Sequence, residues 1–411
     1  MQFTTLSKEG YSASLTTFSE VSFLQTVEMA ELLNKRGFKV TYVGLIEGDK
    51  VLVSAILYSK PMTGGLHMEI NSGPNSLDSK YLSTFYKELQ AYAKAQGALR
   101  LVVKPADTYQ TFDTDGKPIT EERKEFLTTL IDLGFEHNGL QTGYPGGEPD
   151  WHYVKDLSGL DEAGLFKSYS KKGRPLVNKT RTFGIKLRKL QRDELQIFKD
   201  ITSSTSERRE YSDKSLDYYQ DFYDAFGDAC EFMVAEINFS DYKNNLSFQQ
   251  AKIKEHILAI QADLDKMPSS QKRQNQLREY TSQFNTFTVR ISEADEFIQH
   301  YGEENIILAG SLFIYTPHEA VYLFSGSYTE FNKFYAPVAL QEHVMTEAIK
   351  RGITFYNFLG IQGIFDGSDG VLRFKQNFNG YIVRKMGTFT YYPSPLKFKL
   401  ITGIKKLLGR S

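Results

Sequence analysis

Alternation of apolar and polar residues along the chain predicts two β-hairpins. The first covers residues 41–57 with a Gly-Asp turn, and the second covers residues 306–327 with a turn at Pro317. Amphipathic helical patterns, such as that over residues 82–93, and further strands surround each hairpin. We therefore expect an α/β (α+β) fold of two related domains, in which the second hairpin repeats the architecture of the first.

Residues 241–300 follow a different pattern. Apolar residues recur at spacings of three and four on both sides of Pro268, which predicts an antiparallel coiled-coil helical hairpin with its tip at that proline. Each arm is about four heptads, or roughly 40 Å long at 1.5 Å per residue. The mixed charges of the arms favour a rigid arm or a dimer contact over an arm that touches tRNA.

Composition narrows the class of protein. The 411 residues are 41% hydrophobic and 14% aromatic, which is enough for two or three domains with real cores. Cys230 is the one cysteine, so an internal disulfide is excluded, and the seven histidines lack metal-ligand spacing. Neither a signal-peptide pattern nor a run of about 18 apolar residues is present. We expect a soluble cytoplasmic protein without metal or cofactor.

The most basic stretch of the chain runs from Lys171 to Arg192 and contains no acidic residue. Such a run is either a solvated face or a surface that attracts phosphates, as in nucleic acid or a pyrophosphate-linked substrate. Five of its side chains are the candidate contacts to tRNA or phosphate: Lys171, Lys172, Arg174, Lys179 and Arg181.

Candidate chemistry centres on the run from Phe355 to Gly363. This run is apolar and aromatic, and it ends in a loop rich in Gly, Asp and Ser that is followed by Phe374-Lys375. The pattern predicts a buried strand that closes into a turn. A lysine beside such a loop suits an anion or a carboxylate, although a plain β-turn-β connection with a surface lysine fits the spacing too.

These segments, in this order, resemble the Fem family of peptidoglycan aminoacyltransferases, which includes FemA, FemB, FemX, MurM and MurN. The resemblance is nearest to the streptococcal MurM and MurN type, and the 241–300 hairpin is a mark of the FemA, FemB and MurM branch. It implies two N-acetyltransferase-like (GNAT) domains, one of residues 1–150 plus about 376–411 and one of residues 151–240 and 301–375. The matching motifs outside the Phe355–Phe378 segment include Phe23-Leu24-Gln25-Thr26, Ser72-Gly73-Pro74 and Val103-Lys104-Pro105.

The resemblance also implies site residues. Phe374 and Lys375 would lie in the active-site channel, with Lys375 taking part in the transfer step. The family's aspartate is replaced by Lys104, so Asp107 is the substitute candidate for proton transfer. Substrate contacts would come from Arg209 with its neighbour Arg208, from Lys35 with Arg36 as fallback, and from Tyr322 or Phe324.

The implied reaction moves an amino acid, Ala or Ser, from an aminoacyl-tRNA to a peptidoglycan precursor. The acceptor would be the stem-peptide lysine or the first branch residue, on lipid II or on UDP-MurNAc-pentapeptide. Residues 395–410 are basic and apolar, which fits either a helix packed on the body or a peripheral contact with the inner face of the plasma membrane.

Two other functions compete with this one. An acetyl-CoA-dependent N-acetyltransferase of the same fold needs a pyrophosphate-binding Gln/Arg-x-x-Gly-x-Gly/Ala loop, and the sequence has none at a strand-to-helix junction. A non-catalytic coiled-coil adaptor would bind nucleic acid through the Lys171–Arg192 stretch. Replacing Lys375 would leave such an adaptor unaffected.

Overall fold

Strands form the centre of both halves of the molecule. The computed structural model describes residues 1–407. In chain order the strands are β1 (Gln2–Thr5), β2 (Lys39–Glu47), β3 (Lys50–Met62), β4 (Gly65–Asn71), β5 (Asn75–Ser76), β6 (Ala98–Lys104), β7 (Thr108–Phe112), β8 (Glu136–His137), β9 (Trp151–Asp156), β10 (Lys186–Lys189), β11 (Cys230–Asn238), β12 (Asn305–Tyr315), β13 (Ala320–Ser327), β14 (Phe355–Ile361), β15 (Tyr381–Lys385) and β16 (Phe389–Tyr391).

Helices cover the sheets and form the long hairpin. In chain order they are α1 (Lys8–Leu15), α2 (Val27–Lys35), α3 (Leu82–Ala95), α4 (Lys124–Asp132), α5 (Glu162–Ser168), α6 (Gly173–Phe183), α7 (Leu195–Arg209), α8 (Leu216–Phe226), α9 (Phe239–Lys266), α10 (Gln271–Tyr301), α11 (Ala336–Lys350), α12 (Gly370–Lys375) and α13 (Pro395–Leu407). No helix within residues 1–407 is both long and apolar enough to cross a membrane.

The strands form two eight-stranded sheets. The first has the order β1-β2-β3-β4-β6-β16-β8, with β5 paired to β3, and the second has the order β10-β11-β12-β13-β14-β9-β15-β7. The predicted domain boundaries stay a prediction. Two strands that fall in the predicted first domain, β7 and β15, pair in the second sheet. The following strand, β16, pairs in the first sheet.

The two sheets share one internal order. In the first, β2, β3 and β4 are antiparallel neighbours and α3 leads to the parallel strand β6. In the second, β11, β12 and β13 are antiparallel and α11 leads to the parallel strand β14. The predicted relation between two α/β units is therefore present, with one correction. By its place beside the parallel strand, the 306–327 hairpin (β12–β13) corresponds to β3–β4, not to the 41–57 hairpin.

The predicted helical hairpin is present and consists of the two long helices α9 and α10. Its 28-residue first arm is about 42 Å long. Its base is aromatic, since Phe239 stacks on Phe297 at 4.5 Å and also contacts Phe334. Farther out, Gln250 donates to Thr288 across the arms at 2.7 Å. Supercoiling of the arms stays a prediction.

A short segment before α2 joins the two sheets. Phe23 is buried in the core that lies under α7 and α8 of the second half. Two residues later, the buried Gln25 side chain donates to Asn71 O at 2.6 Å and accepts from Ile56 N at 2.8 Å, both in the first sheet. Because the Gln25 amide is fully buried with both ends bonded, this segment fixes the halves to each other.

Candidate functional site

The turn from β14 into α12 is organised by one buried carboxylate. Asp369 is 2% exposed; its Oδ1 accepts from Val371 N and Leu372 N, and its Oδ2 accepts from Gln362 N at 2.9 Å. A carboxylate that accepts two N–H groups at a helix start acts as an N-cap. The predicted plain β-turn-β connection is therefore wrong, because Asp369 starts a helix at Gly370 and places Lys375 at the helix end.

Lys375 points into the protein rather than into solvent. It is 3% exposed, and its Nζ donates to Leu359 O at 3.1 Å and to Gly360 O at 2.6 Å. Burial, opposed by attraction to Asp369, lowers the pKa of Lys375 to about 7. An ammonium carries three N–H donors, so the charged form keeps one for another acceptor.

The carbonyls that hold Lys375 come from an irregular part of β14. The pairing of β14 with β9 shifts between Asn357 and Gly360, and Leu359 has a φ of 57°. A positive φ is uncommon for a residue other than glycine. Here a local hydrogen bond supports it, since Asn357 Oδ1 accepts from Leu359 N at 2.9 Å. At Gly360, an added Cβ would lie 2.4 Å from Pro149 and 3.0 Å from Tyr144, so only glycine fits.

Arg209 is an exposed residue at the end of α7, and its charge acts on Tyr144 and Tyr322. Burial raises the pKa of Tyr144 and of Tyr322, and the charge of Arg209 acts against that rise on both side chains. The charge of Asp369 reaches the same Tyr144. Lys375 and Tyr144 thus both lie at Gly360, and the charge of Arg209 acts on Tyr144 and on the predicted Tyr322.

Tyr322 and Phe324 lie on opposite faces of the second sheet. The β12–β13 pairing shifts between Leu312 and Phe313, so that Tyr322 packs on Phe313 while Phe324 packs on Tyr218 and Tyr219. The charge of Arg209 acts on the Tyr322 hydroxyl and counters the rise in its pKa that burial causes. The Phe374 ring packs on Phe378 with centroids 5.6 Å apart, and Phe374 lies partly buried at the edge of the hydrophobic core to which Phe378 belongs.

Asp107 and Lys104 form ion pairs with residues other than Lys375. Asp107 accepts from Arg123 at 3.3 Å and faces Lys385, whereas the carboxylate facing Lys375 is Asp369. Lys104 pairs with Glu69 at 3.0 Å and with Glu148 at 2.7 Å. The replacement of the family's aspartate by lysine is thus matched by two carboxylates around it.

The other predicted phosphate ligands lie where α2 meets α8. Lys35 pairs with Asp224 at 3.5 Å and Arg36 with Asp221 at 3.2 Å. These two ion pairs join α2 to α8. A phosphate would have to compete with Asp224 and Asp221 for Lys35 and Arg36. Arg208 donates to Ser327 O at 3.4 Å and so borders the end of β13.

The basic stretch divides into two parts. Most of its later cations are paired with acids from elsewhere in the chain, as Arg181 is with Glu342 at 2.5 Å. Among the described residues, its earlier cations have no carboxylate within 4 Å; these are Lys171, Lys172, Arg174 and Lys179, in or just before α6. This earlier part therefore offers most of the unneutralised charge to a polyanion.

The sequence did not predict a set of polar residues, Glu319, Lys385 and His152, that are linked through the charge of Lys385. Glu319 is 6% exposed, and burial raises the pKa of its carboxyl. Lys385 donates to Ala106 O at 2.7 Å, and its charge acts on both Glu319 and His152. Burial, then the charges of Lys385 and Lys375, lower the pKa of His152 to about 3, so this imidazole is neutral at neutral pH. Only Asn357, inside the Phe355–Gly363 run, carried a sequence signal.

Comparison with known proteins gives one family. A model of the FemAB family matches residues 6–406. Aminoacyltransferase FemA of Staphylococcus aureus (strain N315) is 27% identical over 419 residues, covering 100% of both chains, and FemA of strain bovine RF122 / ET3-1 is 27% identical over the same length. A crystal structure of FemX aligns with a TM-score of 0.76 at 20% identity, covering 98% of this chain and 100% of that one. The shared fold confirms the predicted α/β class.

Proposed function

The chain belongs to the FemAB family, and from this premise we propose that it moves Ala or Ser from an aminoacyl-tRNA to an amine of lipid II. It is an aminoacyltransferase of peptidoglycan synthesis that acts on peptidoglycan precursors. The acceptor amine belongs to the stem-peptide lysine or to the first branch residue. UDP-MurNAc-pentapeptide is the alternative acceptor, and closeness to MurM and MurN stays a prediction.

The observation that carries the proposal is the Lys375 amine, which is held on Leu359 O and Gly360 O beside Tyr144, a side chain on which the charge of Arg209 acts. Aminolysis of an ester needs a positioned donor and a group that stabilises the tetrahedral oxyanion. The charged form of Lys375 has one N–H beyond the two that Leu359 and Gly360 accept, and we assign that N–H to the donor carbonyl. An aminoacyl ester is activated, so positioning supplies much of the rate without a covalent enzyme intermediate.

Charge distribution supports separate places for the two substrates. Arg209 at the end of α7, with Lys35 and Arg36 beside α8, would hold the acceptor's phosphates. The four unneutralised cations around the start of α6 would hold the tRNA backbone, whose phosphates bind lysine and arginine in a salt-dependent way. Proton transfer from Asp107 remains a weaker candidate, since this carboxylate faces Lys385 and Arg123.

A lipid-linked acceptor fits the outer face of α13. Leu396, Leu400 and Ile404 are 84%, 65% and 48% exposed and lie in one stripe at four-residue spacing. Lysines flank the stripe on both sides, and residues 395–407 contain no acidic residue; the flanking lysines are Lys397, Lys399 and Lys406. Such a helix suits the surface of an anionic membrane. We place the protein in the cytoplasm, with α13 in peripheral contact with the inner face of the plasma membrane.

The opposite face of α13 packs on the first half. The Phe398 ring packs at a tilt on Tyr392 with centroids 4.2 Å apart, and an added Cβ at Gly64 would lie 2.1 Å from Ile401 Cδ1. The two alternatives for this segment are therefore compatible, because one face packs on the body while the other is free for lipid.

The test is transfer of radiolabelled Ala, Ser or Gly from charged tRNA to lipid II, with and without a first branch residue already attached. We expect label in lipid II with the unchanged protein and at least a hundredfold less with Lys375→Met, which removes the amine and keeps most of the volume. The same assay with UDP-MurNAc-pentapeptide separates the two acceptors.

Lys155→Met is the matched control. Lys155 is also buried, donates to Asn379 O at 3.0 Å, and has a pKa lowered by burial to about 8. Loss of transfer in Lys375→Met alone supports the role of Lys375. Equal losses in both variants would assign the effect to a buried lysine in general. Absence of transfer to every acceptor, with tRNA binding intact, would favour the nucleic-acid-binding adaptor.

A further inference from the structure

A chain of hydrogen bonds runs from the segment that joins the two sheets to the bulge that holds Lys375. Phe23 N donates to Glu319 Oε1 at 2.8 Å, and Asn357 Nδ2 donates to Glu319 Oε2 at 3.3 Å. Asn357 Oδ1 in turn accepts from Leu359 N, and Leu359 O accepts from Lys375 Nζ.

The three polar side chains of this hydrogen-bond chain, those of Glu319, Asn357 and Lys375, are buried. Glu319 and Asn357 are 6% and 8% exposed, and water does not substitute readily for partners at such sites. A buried carboxylate needs both hydrogen bonds and a countercharge, and Lys385 supplies the charge. The two oxygens of Glu319 therefore have separate tasks, one toward Phe23 and one toward Asn357.

We infer that Glu319 and Asn357 are positioning residues that hold the Leu359–Gly360 carbonyls, and through them Lys375, in register with the first half of the molecule. The left-handed Leu359 depends on the Asn357 contact, because its N–H has left the regular β14–β9 pairing. Both side chains are buried and reach Lys375 only through Leu359, so we assign their effect to the placement of Lys375. The inference rests on the proposed function for its effect on transfer, but the hydrogen-bond chain itself is testable without it.

The chemistry of the chain allows a rescue experiment. Glu319→Gln keeps an oxygen that accepts from Phe23 N. Its amide nitrogen, however, faces Asn357 Nδ2, so two N–H donors meet and that hydrogen bond is lost. Adding Asn357→Asp restores every bond, since the amide introduced by Glu319→Gln then donates to the new carboxylate, whose second oxygen accepts from Leu359 N. The double variant also restores the net charge that faces Lys385.

We expect Glu319→Gln to lower kcat roughly tenfold to hundredfold with little change in the acceptor KM, as a small displacement of a positioned group does. The double variant should recover most of that loss. A role in stability alone predicts that the second substitution adds to the damage. A double variant no better than Glu319→Gln, or a single variant as active as the unchanged protein, would overturn the inference.

Glu231→Gln is the matched control. Glu231 is 8% exposed and accepts from Tyr315, His343 and Arg351, none of which belongs to the chain described here. It should lower the melting temperature without changing the acceptor-saturated rate of the folded protein.

Amide hydrogen exchange separates this inference from the proposed function. Exchange at Leu359 should quicken in Glu319→Gln and slow again in the double variant, whatever reaction the protein catalyses, while Phe23 N keeps its acceptor oxygen in both variants. Unchanged exchange in Glu319→Gln would refute the hydrogen-bond chain. Restored exchange without restored transfer would refute its role in positioning, and absence of transfer by the unchanged protein would refute the proposed function alone.

Discussion

At the scale of single residues, the site depends on a lysine placed where its charge is costly. Lys375 is almost fully buried, its two contacts are neutral carbonyls, and Asp369 is the carboxylate that attracts it. Desolvation disfavours the ammonium, and the carbonyls and Asp369 favour it. The balance lowers its pKa to about 7, so a modest change of pH alters the charge of the site.

The rate of transfer should therefore depend on pH through Lys375. If its ammonium stabilises the oxyanion, the contribution is full at low pH and is lost as pH rises through about 7, because the lowered pKa means earlier deprotonation. Deprotonation of the acceptor amine works in the other direction, so kcat/KM should show a maximum near neutral pH. The measurement is kcat/KM for transfer between pH 5.5 and 9.

Lys375→Arg is the comparison for that profile, since its guanidinium stays charged throughout. Its pH profile should rise with pH and lack the falling limb. The overall rate should be lower, because a planar guanidinium does not fit the two carbonyls that accept from the lysine amine. A falling limb that persists unchanged in Lys375→Arg would assign the alkaline loss to another group.

At the scale of elements, the α9–α10 hairpin and the helix α13 present unlike surfaces to solvent. The arms of the α9–α10 hairpin carry both signs of charge, with pairs such as Lys243–Asp295 at 2.5 Å and Arg273–Asp263 at 2.8 Å between them. The face of α13 is apolar with lysines alone beside it. Charge composition therefore favours α13, rather than the hairpin, as the element that meets an anionic surface.

Vesicle sedimentation tests that assignment of α13. Binding to vesicles of phosphatidylglycerol and phosphatidylcholine should exceed binding to phosphatidylcholine alone and should weaken with salt. Leu400→Asp should lower the affinity about tenfold to hundredfold, the loss expected for one buried leucine. Val289→Asp, on the exposed side of α10 at 60% exposure, is the control and should bind as the unchanged protein does. Equal binding to both kinds of vesicle would contradict an electrostatic contact.

At the scale of the whole molecule, the chain returns at its end to complete both sheets. β15 lies between β9 and β7 in the second sheet, and β16 lies between β6 and β8 in the first. With the Phe23–Gln25 segment, these strands make each half depend on chain from both ends of the sequence.

Truncation should expose this dependence. A chain that ends after Ser394 loses α13 but keeps every strand, so it should unfold with the same cooperative thermal transition by circular dichroism. A chain that ends after Gly380 loses β15 and β16, which leaves unpaired edges inside both sheets, and it should show no cooperative transition. A sharp transition in the shorter chain would mean that the halves fold without their final strands.

The sequence alone determined the periodic elements and the family. Alternating and helical spacings lie within neighbouring residues, so both hairpins, the long helical hairpin with its tip at Pro268 and the strand over Phe355–Ile361 could be predicted. Lys375 and Arg209 came from the family motif, and their roles remain predictions.

The tertiary structure decided the contacts between distant residues. Glu319 meets Phe23 across 296 positions and Lys385 meets Ala106 across 279, and no local pattern encodes such pairs. The inward direction of Lys375, the opposite faces of Tyr322 and Phe324, and the partial neutralisation of the basic stretch have the same origin. Each depends on which side chains a folded backbone brings together, whereas spacing along the chain reports only on the face to which a residue belongs.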